Sequence, residues 1–276
     1  MKELGKRVLV ALWGIPLLLG MSYLGSFYFL LLILVINGMV LWEFFTIYRN
    51  IQVHAYRTLA VVLASLLILV SYFFSMEAIF AAYLLITALF LFRHLRISQP
   101  LSSTNTLFTL GGISYVTLFL ISLLHLRLYF ATWLNLSPDR FPGGRLLVIL
   151  WISIWVCDTF AYFGGSLLGK HKLAPRTSPN KTIEGAISGL IGALIVFVPL
   201  GNWLLPEVSS TYFWLAGLIV GVIGQIGDLV ESRFKRDAGV KDTSTILPGH
   251  GGFFDRFDSL MFVSPFMYLL FHYLHI

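Results

Sequence analysis

Asp228 and Glu231 stand three residues apart, and Asp255 and Asp258 repeat that spacing; these two pairs carry the most chemistry in the sequence. On a helix such a pair shares one face. Carboxylates meeting from adjacent helix ends hold Mg2+ through oxygen and leave coordination positions for substrate phosphates. Two pairs could hold two ions, an arrangement that clamps attacking and leaving oxygens in phosphoryl-type transfer. The plainer alternative makes Asp255 and Asp258 favourable charges in a first helical turn. Gly249-His250-Gly251-Gly252 precedes the second pair as a flexible, donor-rich turn, in which His250 suits phosphate donation or proton transfer.

Basic groups accompany the acids. Ser232, Lys235, Arg236, Lys241 and Asp242 form one run, with Arg256 beyond it, and Lys170, Lys172, Arg176 and Lys181 form another. Such groups suit phosphate oxygens, although basic residues alone also read as a membrane anchor. Ser178-Pro-Asn-Lys-Thr-Ile-Glu184 reads as a loop entering a helix capped by Thr182 or Asn180, whose free amides would offer an anion site. Asp158 lies in the middle of an apolar stretch, Trp151 to Tyr162, where an unpaired carboxylate costs several kcal/mol or takes up a proton. It is therefore either a neutral or paired packing contact, or a group facing a water-filled cavity where it meets a metal, a substrate or a lysine.

The elements that must position these groups are hydrophobic. Of 276 residues, 58% are hydrophobic and 12% charged, with a mean hydropathy of +0.85. Ordinary globular domains are about 25% charged, so the expectation is an all-alpha, polytopic integral membrane bundle. Nine spans are predicted, near 8–23, 27–46, 58–75, 78–92, 105–125, 145–164, 183–202, 212–230 and 257–275. The first reads as a retained helix, because no small-residue cleavage pattern follows it. With the N-terminus in the cytoplasm and the C-terminus outside, 16 Lys and Arg fall inside and only Arg127, Arg140 and Arg145 fall outside. That asymmetry obeys the positive-inside rule. Residues 1–125 are expected to form a transmembrane scaffold and 145–276 the catalytic region. The single cysteine, Cys157, excludes an internal disulfide and a Cys-based zinc cluster. The net charge of +6 is accounted for by topology, so nucleic acid is not an expected partner. Two-fold symmetry, the commonest assembly, predicts a homodimer.

Carboxylates, cations and Gly-rich turns at one membrane edge suit a reaction among several phosphates. No GxxxxGK[ST] loop, HExxH or GxSxG motif is present. Binding or transport of a phosphorylated lipid or nucleotide, without catalysis, is the alternative of a different class.

Ser232, Lys235, Arg236, Lys241, Asp242, Pro248, His250, Gly251, Gly252, Asp255, Arg256 and Asp258 resemble, in type and spacing, the signature of the phosphatidate cytidylyltransferases, also called CDP-diacylglycerol synthases. The stretch from Asp158 to Lys170, then Leu173, Pro175 and Ser178 to Gly185, is similar to an upstream part of that family. Gly165 departs from it, since many relatives carry arginine there. The resemblance implies condensation of CTP with phosphatidic acid, dependent on a divalent cation, to give CDP-diacylglycerol and pyrophosphate. The residues then expected to act are Asp228, Asp255, Asp258, Lys241 and His250, with Glu231 and Asp158 as further metal contacts. Lys170, Lys181, Ser232, Lys235, Arg236, Arg256, Gly251 and Gly252 are expected to bind substrate. A bacterial-type inner membrane, with the site facing the cytoplasm, is the expected location.

Overall fold

A computed structural model describes residues 2–96, 101–247, 249 and 251–274; His250 and Pro248 lie outside the described residues. Nine helical rods occupy the nine expected positions among the described residues. They are α1 (Lys2–Leu24), α2 (Ser26–Ile47), α3 (Arg57–Phe73), α4 (Met76–Arg96), α5 (Ser102–Gly112) with α6 (Phe119–Trp133), α7 (Pro142–Leu168), α8 (Ile183–Leu204), α9 (Ser210–Leu218) with α10 (Gln225–Asp237), and α11 (Phe254–Tyr273). Six of these rods are long and apolar enough to cross a membrane; the apolar parts of α1 and α3, Val10–Leu24 and Arg57–Phe73, are shorter. Trp13, Leu85, Phe92 and Leu167 are largely exposed on the outside of the protein. Outward apolar side chains around internally hydrogen-bonded helices are what a hydrocarbon solvent selects. The chain is a multi-pass membrane protein.

Two rods contain a π-turn. Ile113–Leu118 joins α5 to α6, and Ile219–Gly224 joins α9 to α10. A π-turn displaces the regular hydrogen-bond ladder, and polar side chains gather around the second one. Gln225 Nε2 donates to Gly221 O at 2.5 Å and to Ala186 O at 3.0 Å, while Ser259 Oγ donates to Gly224 O at 3.0 Å.

The structure extends several of the expected spans, α1 from residue 2 and α7 over Pro142–Leu168 among them. The fourth rod has 21 residues where 15 were expected. The fifth runs on to Trp133, through the first part of the expected outer loop. The eighth runs seven residues past 230, because its polar end supports itself with i,i+4 ion pairs, Glu231 to Lys235 and Arg233 to Asp237. The segment read as a loop before α8 is instead half of an antiparallel hairpin, β1 (Lys172–Ala174) and β2 (Ser178–Thr182), with Lys172 opposite Thr182. This hairpin is the one sheet in the described residues.

Close helix approach brings the site together. A methyl group at Gly185 would lie 2.8 Å from Ala161 O, and one at Gly189 would lie 3.0 Å from Cys157 O, so α7 and α8 meet backbone to backbone. Gly165 belongs to the same seam. At Gly227 a methyl group would lie 2.5 Å from Phe262 Cβ, so this glycine lets α10 settle on α11.

Candidate active site

Thr182 ends β2 and caps α8, accepting from Gly185 N at 3.1 Å as the sequence suggests. Glu184 in the first turn folds back onto the start of the hairpin. It accepts from Lys170 N at 3.1 Å and from His171 N at 3.2 Å, and lies 2.6 Å from His171 Nδ1. Fixed at both ends, the hairpin carries Lys181 to α10, where its ammonium pairs with the Asp228 carboxylate. Arg236 Nε gives a second tie, to Thr177 O at 3.3 Å.

The Lys181–Asp228 pair borders a cavity of about 440 Å3, lined also by Asp158, Gly165, Asn180 and Gln225. Asp158 lines this cavity. Beside the cavity, Asp228, Glu231 and Asp258 place one carboxylate oxygen each within 4.8 Å of the others. The pairing expected from spacing is only half realised, because this group draws two acids from α10 and one from α11. Ser232 Oγ points to Asp228 Oδ1 at 3.4 Å, and Asp258 Oδ1 accepts from Ser259 N at 2.7 Å.

Asp255 faces elsewhere. Its Oδ1 meets Lys235 Nζ at 2.7 Å, and its Oδ2 accepts from Gly252 N at 2.8 Å, Thr243 Oγ1 at 2.9 Å and Thr243 N at 3.1 Å. Lys235 lies between Asp255 and Glu231, 2.8 Å from Glu231 Oε1. Only 12% of the Lys235 side chain is exposed, against 1% for Glu231 and 5% for Asp255. Lys235 is therefore a buried counter-charge for two acids.

Gly251 has φ +78°, and Leu247 N donates to its carbonyl at 3.0 Å, closing the loop that leads into α11. Lys170, Arg236, Lys241 and Arg256 are exposed. Arg256 borders a second, apolar cavity of about 460 Å3, lined by Val10 and Gly14 of α1, Leu32 of α2, Trp155 of α7 and Phe257 of α11. His250 lies outside the described residues.

Glu43, on α2, was not among the expected residues. Buried at 2% exposure, it receives hydrogen bonds, among the described residues, from the segment between Thr243 and Phe254. The signal was available: an acid inside an apolar span, the argument that singled out Asp158.

Three convergent carboxylates beside a cavity that holds Asp158 and the Lys181–Asp228 pair, on membrane helices, make an oxygen donor set suited to a hard cation. The comparisons specify the class: a cytidylyltransferase family profile matches residues 5–274, and the chain belongs to that family. Among curated proteins it is similar to the phosphatidate cytidylyltransferases of Staphylococcus haemolyticus, 49% identical over 131 residues, and Staphylococcus aureus, 50% identical over 133 residues. That of Staphylococcus saprophyticus is 45% identical over 138 residues. The first two matches cover 48% of this chain and 50% of the relative, and the third covers 50% and 53%. The match thus spans about half the length of these relatives.

Proposed function

We propose that the chain condenses CTP with phosphatidic acid to give CDP-diacylglycerol and pyrophosphate, a step of phospholipid biosynthesis. The observation that carries this reading is the cavity holding Asp158 and the Lys181–Asp228 pair next to the Asp228–Glu231–Asp258 group. The signature residues and the family membership point the same way. A phosphate oxygen of phosphatidic acid attacks the α-phosphorus of CTP in line, a new P–O bond forms, and the bond to the β-phosphate oxygen breaks to release pyrophosphate. The lipid phosphate is already a competent nucleophile, so no covalent enzyme intermediate is needed. The protein's work is to hold two anions together against their repulsion. Lys181 and Arg256 lie nearest that task, with Lys170, Arg236 and Lys241 at the exposed rim, Ser232 beside Asp228, and Gly251, Gly252 and His250 in the loop before α11.

The donor set fits a hard divalent cation: three carboxylates, oxygen only, half-buried or buried, with more acid nearby in Asp158. Mg2+ held by Asp228, Glu231 and Asp258 would neutralise phosphate charge. A second ion would draw on Asp158 and substrate oxygens. Asp255 acts from behind, holding Lys235 and the loop.

The apolar groove beside Arg256 suits acyl chains reaching the site sideways from the inner leaflet, because the phosphate of phosphatidic acid must meet water-soluble CTP while its chains stay in lipid. Purified chain in mixed micelles is expected to release pyrophosphate from CTP only when phosphatidic acid is present. A carrier without chemistry would instead move labelled lipid and leave CTP intact.

The topology that suits this chemistry has nine spans, the N-terminus in the cytoplasm, the C-terminus outside, and the site facing the cytoplasm of a bacterial-type plasma membrane. Its support is the rod at each expected position together with the Lys and Arg asymmetry. Cysteine-accessibility labelling should place 165–181 and 232–255 on one side. Residues 1–125 serve as scaffold and 145–276 as the catalytic region. A homodimer is the proposed assembly; a native mass measurement finding only a 31.1 kDa protomer would overturn it.

A further inference from the structure

We infer that Glu43 is a positioning residue: from the N-terminal half it fixes the start of α11, and through it the carboxylates of the site. The inference rests on the activity proposed above. Four donors converge on this one carboxylate. Oε1 accepts from Ser244 Oγ at 2.6 Å and Phe253 N at 3.0 Å; Oε2 accepts from Phe254 N at 2.9 Å and lies 3.0 Å from Thr243 Oγ1, whose one proton it shares with Asp255 Oδ2. The first N–H groups of a helix lack acceptors within the helix, and Phe253, at the N-cap of α11, supplies no side-chain cap. Glu43 supplies the missing acceptor from another helix, and its negative charge suits the positive end of α11.

The chain of contacts then runs to the site by two routes. Along α11, one turn from the clamped amides, lies Asp258 of the three-carboxylate group. Through Thr243, whose hydroxyl touches both Glu43 and Asp255, the clamp reaches Lys235 and thence Glu231. The packing leaves no slack. A methyl group at Gly252 would lie 2.4 Å from Glu43 Oε2 and 2.1 Å from Thr243 Oγ1, so the glycine is there to admit the carboxylate. An amide in place of Glu43 would turn an NH2 group toward one pair of donors at almost constant volume. It removes the clamp without opening a cavity.

The test compares E43Q with the unaltered chain in detergent by three measurements: thermal midpoint, Mn2+ binding by EPR, and pyrophosphate release from CTP with phosphatidic acid. Groups that orient metal ligands change affinity or activity by roughly 10–100-fold when lost. For E43Q a loss of kcat in that range is expected, with Mn2+ binding weakened at least tenfold and the folded fraction retained. A purely structural role would lower the thermal midpoint and leave kcat per folded molecule and Mn2+ affinity unchanged, which would overturn the inference. Should E43Q not fold, the S244A/T243V pair removes two donors instead, and the same readings decide. An unaltered chain that binds Mn2+ yet releases no pyrophosphate would count against the proposed activity, whereas the Mn2+ comparison would still judge Glu43.

Discussion

Lys181 of the β2 strand forms an ion pair with Asp228 of α10, so the cavity contains its own cation before any substrate arrives. The pair is half-exposed, with 27% and 35% of the two side chains accessible, and the partners come from elements 47 residues apart. Such a lysine can exchange its carboxylate for a phosphate oxygen as substrate binds.

Replacing Lys181 with Met keeps the side-chain length and removes the charge. Loss of one preorganised group facing developing charge costs about 10²–10³ in kcat. K181M is expected to lose turnover on that scale while remaining folded, as read by pyrophosphate release and gel filtration. Turnover within a factor of three of the unaltered chain would exclude Lys181 from the reaction centre.

The acids on α10 and α11 should separate by their partners. D228N and D258N are expected to abolish Mg2+-dependent turnover and leave the thermal midpoint nearly unchanged, because these groups converge on one another. D255N is expected to lose turnover and also stability, since removing this charge leaves buried Lys235 facing only Glu231 and weakens the contacts to Thr243 and Gly252. Breaking a buried pair in this way costs on the order of 3–5 kcal/mol. Equal thermal midpoints for D255N and D258N would contradict the division.

At Gly227 the prediction concerns packing. G227A pushes a methyl group into Phe262 and is expected to destabilise by about 1–3 kcal/mol, the usual range for overpacking. It should also weaken Mn2+ binding, because Asp228 and Asp258 sit on either side of that contact. A thermal melt unchanged from the unaltered chain would show that α10 and α11 have room to spare.

Arg256 stands where the apolar groove meets the start of α11. R256A is expected to raise the half-saturating surface concentration of phosphatidic acid about tenfold, the effect of losing one charge-assisted contact of roughly 1.5 kcal/mol, with the value for CTP changed by less than twofold. The opposite pattern would assign Arg256 to the nucleotide.

The helices were legible because apolar runs near 20 residues leave few alternatives in lipid; a helix lies at each expected position, and six of the rods are long and apolar enough to cross a membrane. The hairpin was not: β1 and β2 are short, Pro175 follows one and Pro179 lies in the other, and contacts from elsewhere in the chain, the pairing of Lys181 and the Arg236 tie to Thr177, help hold them in place. Of the acids, Asp228 and Asp258 converge as their spacing suggested, whereas Asp255 points into its own loop. Spacing fixes the face on which a side chain lies; it does not say which donors reach it first. Glu43 escaped notice because its partners lie some 200 residues away, at separations of 200 to 211. The division into scaffold and catalytic region meets a physical difficulty at the same residue, since the scaffold supplies an acceptor that the catalytic loop needs.

The π-turn at Ile219–Gly224 sets the phase of everything after it. One residue advances an α-helix by about 100° and a π-turn takes up a residue without that advance, so relaxing this turn to α geometry with every residue kept would swing Asp228, Glu231 and Ser232 together to another side of the rod. Hydropathy and length would hardly change, and the helix would still insert. Yet the acids would face away from Asp258 and Lys181. Descent in this protein is therefore constrained in a way that no count of apolar residues records: point changes along the outer face of that rod are cheap, while a one-residue insertion or deletion in the regular helix between Gly224 and Asp228 disconnects the site.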